Sequence, residues 1–318
     1  MTAAYTTPVK VTAIDQLTPL IKKFSLERRD GEPFTPFSAG SHVVVSMDNG
    51  SEVHKNPYSL VRASADYRRY EIAVRREDNG RGGSLFMHGR VTVGTELEIS
   101  HPFNLFPAYR LARKHLLITG GVGITPFMSY TAEMARTGEA FELHYAVRSR
   151  PEGAFVEELE AGHGDHVRIY DTSKGQLMDI ESLLSQQPLG THVYVCGPHG
   201  MVADVQRFAA ALGWPGATVH SEEFKSPDPG QPFTVYLSQS GRQVDVGPRE
   251  SLLEALERSE VDVAYSCRGG ACGMCQTPVV EGTPEHRDYF LTEEERKSNK
   301  FIMPCVSRSC GDRLVIDL

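Results

Sequence analysis

Hydrophobic and polar residues alternate in short runs along the first hundred positions of the chain. These runs are rich in Val, Ile and Phe and are separated by Gly, Pro and Asp, which is the pattern of strands joined by turns. The predicted strands are Val9–Ala13, Lys23–Arg28, His42–Met47, Tyr70–Arg75 and Glu96–Ser100. Their even spacing predicts an antiparallel barrel or sandwich.

Near Pro107 the pattern changes to apolar runs that alternate with helical stretches. His115–Thr119 is a largely apolar run, as expected for a strand buried on both faces, and Pro126–Arg136 is a helical stretch after it. Further strands are predicted at Phe141–Val147, Val167–Tyr170 and His192–Cys196, and further helices at Phe155–Leu159, Ile180–Leu184 and Met201–Leu212. This alternation predicts a parallel α/β sheet with right-handed crossovers.

A proline-rich segment separates this region from the last part of the chain. Three prolines within residues 226–232 disfavour both helix and central strand, so the segment is predicted to be a linker. Beyond it, Phe233–Leu237 and Arg242–Val246 predict a hairpin, and Ser251 with Glu254 predicts a capped helix. The predicted domains are therefore residues 1–108, 109–225 and 233–318.

A glycine-rich turn lies between the first strand of the α/β region and the helix that follows it. Glycine lets the backbone approach a pyrophosphate and the helix N-terminus offers free N–H groups, although such a turn also occurs without a ligand. A second turn, after the strand His192–Cys196, is expected at the same edge of the sheet. The candidate nucleotide-binding residues are Gly120, Gly121, Gly123, Thr125, Pro126, Cys196, Gly197 and Pro198.

Five of the six cysteines fall in the last 52 residues. Cys267-x4-Cys272-x2-Cys275, followed after twenty-nine residues by Cys305, has the plant-type spacing of a two-iron, two-sulfur cluster. The alternative is a structural zinc site, but zinc ribbons favour two Cys-x2-Cys pairs and only one is present. Cys310 is not at ligand spacing and is expected to be a buried, small apolar side chain.

Three cassettes in the strand-rich region complete a recognisable order along the chain. They are Asn56-Pro57-Tyr58-Ser59-Leu60, Ile72-Ala73-Val74-Arg75 and Arg81-Gly82-Gly83-Ser84. With the nucleotide turns and the cysteine spacing, they make the whole chain resemble the phthalate dioxygenase reductase family, including the reductase components of vanillate demethylase and carnitine monooxygenase. The resemblance implies an antiparallel flavin-binding β-barrel, a ferredoxin-reductase-like nucleotide domain and a C-terminal β-grasp ferredoxin domain.

The resemblance also implies a role for each cassette in binding FMN. Tyr58 is expected on the face of the flavin ring and Ser59 near its N5 atom, while Ala73 and Val74 offer backbone groups to the pyrimidine edge. Thr125 and the Cys196-Gly197-Pro198 turn are expected to line the nicotinamide pocket. The remaining expected cofactor-binding residues are Asn56, Leu60, Arg75, Arg81, Gly82, Gly83, Ser84, Arg148 and Phe224, with the phosphate on Gly82, Gly83 and Ser84.

Asn56 departs from the pattern of the family. Much of the family has Arg two residues before the Tyr, so a phosphate contact is lost or taken over by another residue. Arg81 is the first candidate for that replacement and Arg75 the second, while a solvated surface charge is the alternative for both. FMN is nevertheless favoured over FAD by the Gly-Gly-Ser loop and by the domain order.

The resemblance implies a reductase that takes a hydride from NADH onto FMN. Single electrons then pass through the [2Fe–2S] cluster, bound by Cys267, Cys272, Cys275 and Cys305, to a separate terminal Rieske non-heme iron oxygenase. No catalytic acid–base residue is expected, because the cofactors carry the chemistry. Arg148 follows a predicted strand and is expected either to meet a ribose 2′-phosphate or to be exposed, so NADPH stays open beside NADH.

Two other functions fit the same residues. One is a flavin and iron–sulfur reductase that delivers electrons to a ferredoxin or a cytochrome, and the other is a non-enzymatic redox or zinc-binding module. Glu293–Glu295 would help a reductase to steer a basic partner. The same residues with Thr292 also read as the start of a solvated helix.

Net charge and composition exclude some classes of binding partner and predict a location. The 318 residues carry a formal net charge of −8, which argues against nucleic acid or an anionic membrane as the main partner. No apolar run approaches the ~20 residues that span a bilayer, and Met1–Lys10 lacks the pattern of a secretory signal. The expected location is therefore the cytoplasm, where thiols stay reduced.

Overall fold

The computed structural model describes residues 6–48, 50, 53–224 and 229–318. This part of the chain forms two compact units, one from Thr6 to Phe224 and one within residues 225–318. Residues 226–228 of the predicted linker lie outside the described residues, and residues 229–232 contain no helix or strand. Among the helices of the described ranges, none is long and apolar enough to cross a membrane.

A closed, six-stranded antiparallel barrel begins the first unit. Its strands lie in the spatial order β1-β2-β5-β4-β3-β6. Their bounds are β1 Thr6–Thr18, β2 Ile21–Arg28, β3 His42–Asp48, β4 Val53–Ala63, β5 Arg69–Arg75 and β6 Glu96–Ser100, and helix α1 is Gly83–Gly89. The sequence pattern does not predict β4, because Pro57 and its polar neighbours interrupt the apolar alternation. Val43, Leu60 and Ile72 are among the residues that fill the barrel interior.

A five-stranded parallel sheet follows, in the spatial order β11-β10-β7-β8-β9. Its strands are β7 Lys114–Gly120, β8 Phe141–Val147, β9 Val167–Asp171, β10 Thr191–Cys196 and β11 Val219–Glu222. The helices between them are α2 Ile124–Thr137, α3 Val156–His163, α4 Ile180–Ser185 and α5 His199–Ala211. Val61 and Ala73 of the barrel share one hydrophobic core with Tyr130 of α2 and Cys196 of β10, so barrel and sheet pack together.

The second unit is a mixed five-stranded sheet with one helix in its core, the β-grasp arrangement that the resemblance implies. Its elements are β12 Phe233–Leu237, β13 Gln243–Val246, α6 Leu252–Arg258, β14 Thr277–Glu281, β15 Pro284–Glu285, α7 Glu293–Ser298, β16 Phe301–Ile302, β17 Arg308–Ser309 and β18 Arg313–Ile316. Central strands β12 and β18 are parallel. The capping boxes at Ser251 and at Thr292 are both confirmed, and they begin α6 and α7.

Candidate cofactor sites

Four thiols of the second unit come together as two pairs. Three belong to the loop 267–275, called the cysteine loop below, and the fourth is that of Cys305. The Sγ atoms of Cys275 and Cys305 lie 3.3 Å apart, and the thiols of Cys267 and Cys272 form a hydrogen bond. Three of the four side chains are buried, and Cys272 is half-buried. Two pairs of close sulfur atoms suit a cluster in which each of two iron atoms takes two thiolates.

The backbone of this loop folds tightly around the thiols. Gly270 and Gly273 adopt φ angles of 77° and 74°, a left-handed conformation that side chains rarely tolerate. A Cβ atom on Gly273 would also collide with the ring of Phe290, which packs directly on the loop. Arg268 takes a left-handed φ of 53° without being glycine, and its buried guanidinium is held by Glu257 through two hydrogen bonds of 3.0 and 2.7 Å.

Cys267 lies in surroundings that favour a thiolate. The thiol of Cys272 and the backbone N–H groups that point at Cys267 lower the pKa of Cys267 to about 5. One of these groups is the N–H of Gly269, which donates to Cys267 Sγ at 3.4 Å. Because metal ligation requires deprotonated sulfur, these donors fit an iron–sulfur cluster.

Cys310 corrects one sequence expectation. The residue is exposed, whereas it was expected to be buried. It follows β17 at a turn, where its Sγ lies 3.6 Å from the carbonyl oxygen of Pro284. A cysteine in a turn gains no burial from the strand before it, and the spacing of the ligand cysteines carries no information about this side chain.

A cleft opens between β4 and β5 of the barrel. The two strands pair with each other from Leu60 to Ala63 on β4 and from Tyr70 to Ile72 on β5. Within the described residues, the part of β4 before Leu60 and the part of β5 after Ile72 do not pair with each other. These parts hold the predicted flavin residues Tyr58 and Ser59 on β4 and Ala73 on β5, with Val74 and Arg75 after it. Unpaired backbone on both walls suits a planar ligand with hydrogen-bonding edges.

Ser59 and Tyr58 differ in their surroundings within this cleft. Ser59 is buried, and its hydroxyl oxygen has no hydrogen-bond partner among the residues that the structure describes. Burial raises the pKa of Tyr58 to about 12, and its hydroxyl accepts a 3.4 Å hydrogen bond from Asn56 Nδ2. An unpaired buried hydroxyl beside an aromatic ring fits a flavin edge, because buried polar groups normally find a partner.

Asn56 lies against the predicted phosphate loop. A Cβ atom on Gly83 would overlap the side-chain amide of Asn56, and one on Gly82 would come within 3.0 Å of the ring of His54. The side chain at position 56 therefore borders the loop, as the family pattern implies for Arg. Among the proposed substitutes for that Arg, Arg75 forms an ion pair with Glu77 at 2.7 Å.

Three other predicted flavin-binding residues lie in or near the phosphate loop. Arg81 is half-buried directly before the Gly82 turn. Ser84 accepts a 3.0 Å hydrogen bond from the backbone N–H of Glu77 through its Oγ. The carbonyl oxygen of Val74 lies 2.9 Å from His88 Nε2, so this carbonyl already has a partner. Val74 also stands opposite Lys22 in the β2–β5 ladder, so part of its backbone faces β2.

The two nucleotide turns contact each other at the carboxyl edge of the parallel sheet. Cβ atoms added to Gly120 and Gly123 would lie closer than 3.0 Å to Pro198 and to the carbonyl oxygen of Cys196. Gly197 packs against the backbone of Gly120. The two turns can pack this closely only because these positions have no side chain. Glycine is therefore required here for packing as well as for the approach of a ligand.

The residues around these turns are placed as follows. Thr125 and Pro126 are buried in the first turn of α2, and Thr125 Oγ1 donates to the carbonyl oxygen of Val122 at 3.0 Å. Gly121 has a φ of 59° and open space around it. Arg148 is exposed after β8, and Phe224, two residues beyond β11, is also exposed.

Sequence reasoning missed Glu222, which ends β11 directly beside Cys196. Burial raises the pKa of Glu222 to about 8, and within the described part of the chain its buried Oε2 atom has no hydrogen-bond partner. Cys196 itself is buried, and burial raises the pKa of its thiol, which disfavours the thiolate that a nucleophile needs. Only the pairing of β10 with β11 brings the two residues together, and β11 is too short and polar to be predicted.

Two family models match the chain. Residues 235–310 match the 2Fe-2S iron-sulfur cluster binding domain, and residues 102–219 match the N-terminal domain of dimethylamine monooxygenase subunit DmmA-like proteins. The first match decides between zinc and iron–sulfur in favour of iron–sulfur.

Similar proteins cover the chain from end to end. The heme-dependent oxidative N-demethylase beta subunit of Ectopseudomonas mendocina is 48% identical over 98% of both chains. The carnitine monooxygenase reductase subunit of Acinetobacter baumannii is 43% identical over 98% of both chains. The solved structure of phthalate dioxygenase reductase, described as a modular structure for electron transfer from pyridine nucleotides to [2Fe-2S], superimposes with a TM-score of 0.86 at 34% identity. It covers 99% of this chain and 98% of that chain.

Proposed function

Because the chain belongs to the phthalate dioxygenase reductase family and is the reductase component of an oxygenase system, we propose that its electron acceptor is a Rieske-type terminal oxygenase. Its cofactors are FMN and a [2Fe–2S] cluster, and NADH is its electron donor. Membership of this family rules out the non-enzymatic alternative. A cytoplasmic location belongs to the same proposal, since a reducing compartment keeps the ligand thiols free.

The observation that carries the proposal is the pairing of four thiols, three from the loop 267–275 and one from Cys305. Cys267 with Cys272, and Cys275 with Cys305, are proposed as the ligands of the two iron atoms. When bound, FMN would supply the conversion between hydride transfer from NADH and single-electron transfer to the cluster. The chain itself binds and orients these groups and excludes water from them.

The flavin and the nicotinamide are proposed to meet where the barrel packs on the parallel sheet. Tyr58 and Ser59 hold the flavin ring, while backbone groups of Ala73 and Val74 face its pyrimidine edge. The phosphate takes the loop Gly82–Ser84, bordered by Asn56 and Arg81. The nicotinamide takes the pocket of Thr125 and the Cys196–Pro198 turn, with Arg148 and Phe224 at the same edge of the sheet.

A Rieske acceptor is supported by the direction of electron flow. Plant-type clusters have reduction potentials near −400 mV, whereas Rieske centres lie between about −150 and +300 mV, so transfer is downhill. A heme-containing oxygenase is the second candidate, because the 48% identical relative is named a subunit of a heme-dependent enzyme.

An exposed apolar patch on the cysteine loop supports electron delivery to a separate protein. Met274, between two proposed ligands, is 57% exposed, and Tyr289 and Phe290, which pack on the loop, are 56% and 44% exposed. Glu293 and Glu294 of α7 add exposed negative charge shortly after them in the chain. The proposed partner surface therefore has an apolar centre and a basic rim.

An anaerobic titration of the purified protein with NADH tests the proposal. We expect flavin absorption to bleach and the electron paramagnetic resonance signal of a reduced [2Fe–2S] cluster to appear. The reduced protein is then mixed with a purified Rieske oxygenase and, separately, with a heme-containing oxygenase, and the rate of acceptor reduction is followed. Faster reduction of the heme protein would replace the Rieske proposal with the second candidate.

A further inference from the structure

Two loops lie side by side at the carboxyl edge of the parallel sheet. They follow the neighbouring strands β8 and β9, consist of residues 148–150 and 172–174, and are called the edge loops below. The backbone N–H of Ser173 donates to the carbonyl oxygen of Arg148 at 2.9 Å, and Thr172 Oγ1 donates to the same oxygen at 3.3 Å. The edge loops therefore form one connected surface.

A dinucleotide bound at the nucleotide turns is expected to extend over this surface. β8 lies between β9 and β7, the strand that leads into the first nucleotide turn. Open α/β sheets bind dinucleotides outside the carboxyl ends of their strands, where an acidic residue suits a ribose 2′-hydroxyl and an arginine suits a 2′-phosphate. The edge loops carry three cations that could meet such a phosphate, Arg148, Arg150 and Lys174.

The guanidinium of Arg150 is already held by the carboxylate of Glu160 on α3. Nη1 donates to Oε1 at 3.1 Å and Nη2 donates to Oε2, so both carboxylate oxygens are engaged. Arginine binds a phosphate with the same fork of donors, so Arg150 cannot fully serve both partners. The two side chains are 38% and 40% exposed, and an ion pair this exposed adds little to stability. Its main consequence is where it holds the guanidinium.

The cations of the edge loops are matched by an equal number of carboxylates. The charge of Arg150 interacts with the carboxylates of Glu157 and Glu160 on α3, and also with that of Asp171 at the end of β9. A hydrogen bond from Ser173 lowers the pKa of Asp171, so this carboxyl is ionised near pH 7. Three cations beside three carboxylates leave no net positive charge for a 2′-phosphate, whose own charge is about −1.5 to −2.

We propose that Glu160 is a specificity-determining residue, which disfavours NADPH relative to NADH by holding Arg150 away from a 2′-phosphate. The inference rests on the nicotinamide site of the proposed function. Without the carboxylate of Glu160, the guanidinium is free to turn to the phosphate and one repelling charge is lost. NADH gains nothing from this change, because its adenosine ribose carries a neutral 2′-hydroxyl.

The first test compares coenzyme preference in the full-length holoprotein. The measured quantity is the ratio of kcat/KM for NADPH to kcat/KM for NADH, with ferricyanide as the electron acceptor. The wild type is expected to have a ratio below one. Glu160→Gln is expected to raise the ratio about tenfold, because a charge-assisted contact replaces a repulsion. Adding Arg150→Gln to that variant is expected to remove most of the gain.

A second test isolates the 2′-phosphate from electron transfer. Calorimetric titration of the same proteins with adenosine 2′,5′-bisphosphate and with AMP compares two probes that differ only in this group. Glu160→Gln is expected to bind the bisphosphate about tenfold more tightly than the wild type and AMP within about twofold. Glu157→Gln is the matched control, because it removes an exposed carboxylate of the same helix that, in the described structure, makes no hydrogen bond to Arg150.

The control is expected to change both measurements by less than about twofold, as for an exposed charge without a direct partner. An unchanged preference in Glu160→Gln, or a gain that persists in the double variant, would overturn the inference. An equal gain in Glu157→Gln would also overturn it, since the net charge of α3 would then decide. A wild type that oxidises neither coenzyme would instead refute the proposed function on which the inference rests.

Discussion

At the scale of single residues, the buried carboxyl of Glu222 is expected to make the stability of the protein depend on pH. Burial raises its pKa to about 8 from an ordinary value of 4.5. The folded protein therefore keeps a proton that the unfolded chain releases above pH 4.5. The free energy of unfolding falls as the pH rises between these two pKa values, and it becomes level above pH 8, where the carboxyl is ionised in both states.

Glu222→Gln removes that titration. We expect the variant and the wild type to unfold at similar temperatures near pH 5, and the variant to be more stable at pH 8.5 by about 4 kcal/mol, since each pKa unit is worth about 1.4 kcal/mol. Thermal unfolding between pH 5 and 8.5 measures the difference. Glu181→Gln, at an exposed position of α4, is the control. A constant difference across this range would contradict the burial of Glu222.

The residue scale also limits what the sequence predicts about the site. Spacing alone identifies the four cysteines, because three of them lie within nine residues and the fourth follows at the plant-type interval. The adjacency of Glu222 to Cys196 comes from strand register instead. A one-residue change of register would separate the pair, so no local pattern contains it.

At the scale of elements, the predicted strands and helices are largely those of the structure, and the exceptions have local causes. β4 contains Pro57, which removes a backbone donor. β11 is four residues long, and three of them, His220, Ser221 and Glu222, are polar. β4 is held by pairing with β3 and β5, and β11 by pairing with β10. Both also carry or adjoin site residues, so the sequence predicts the scaffold better than the walls of the site.

The contact between the two nucleotide turns yields a prediction at the same scale. Gly123→Ala puts a methyl group against the carbonyl oxygen of Cys196, which is backbone and cannot move aside. We expect a loss of about 1–3 kcal/mol of stability and weaker NADH binding, because overpacking shifts both turns. Thermal unfolding and the KM for NADH measure these effects.

Gly200→Ala is the matched control for that variant. Gly200 lies in α5 with nothing within 4 Å of an added Cβ, so alanine there is expected to be neutral or stabilising. Equal effects of the two substitutions would mean that helix propensity, and not the contact between the turns, decides the outcome.

At the scale of the whole molecule, the two compact units have separate hydrophobic cores. One core of the second unit includes Cys275 and Cys305, whereas the cores of the first unit contain none of the four proposed ligands. Damage to the cluster site is therefore expected to leave the flavin and nucleotide sites folded.

Cys272→Ser tests this separation, since Cys272 is the one half-buried member of the ligand set and serine replaces it with little change of volume. We expect FMN to be retained and reduced by NADH at a rate near that of the wild type, while reduction of cytochrome c falls by at least about tenfold. Stopped-flow absorption measures the first rate and a steady-state assay the second. Cys310→Ser, at the exposed cysteine of the same unit, is expected to keep both rates. If both rates survived in Cys272→Ser, electrons would leave the flavin without the cluster, and the proposed ligand set would be wrong.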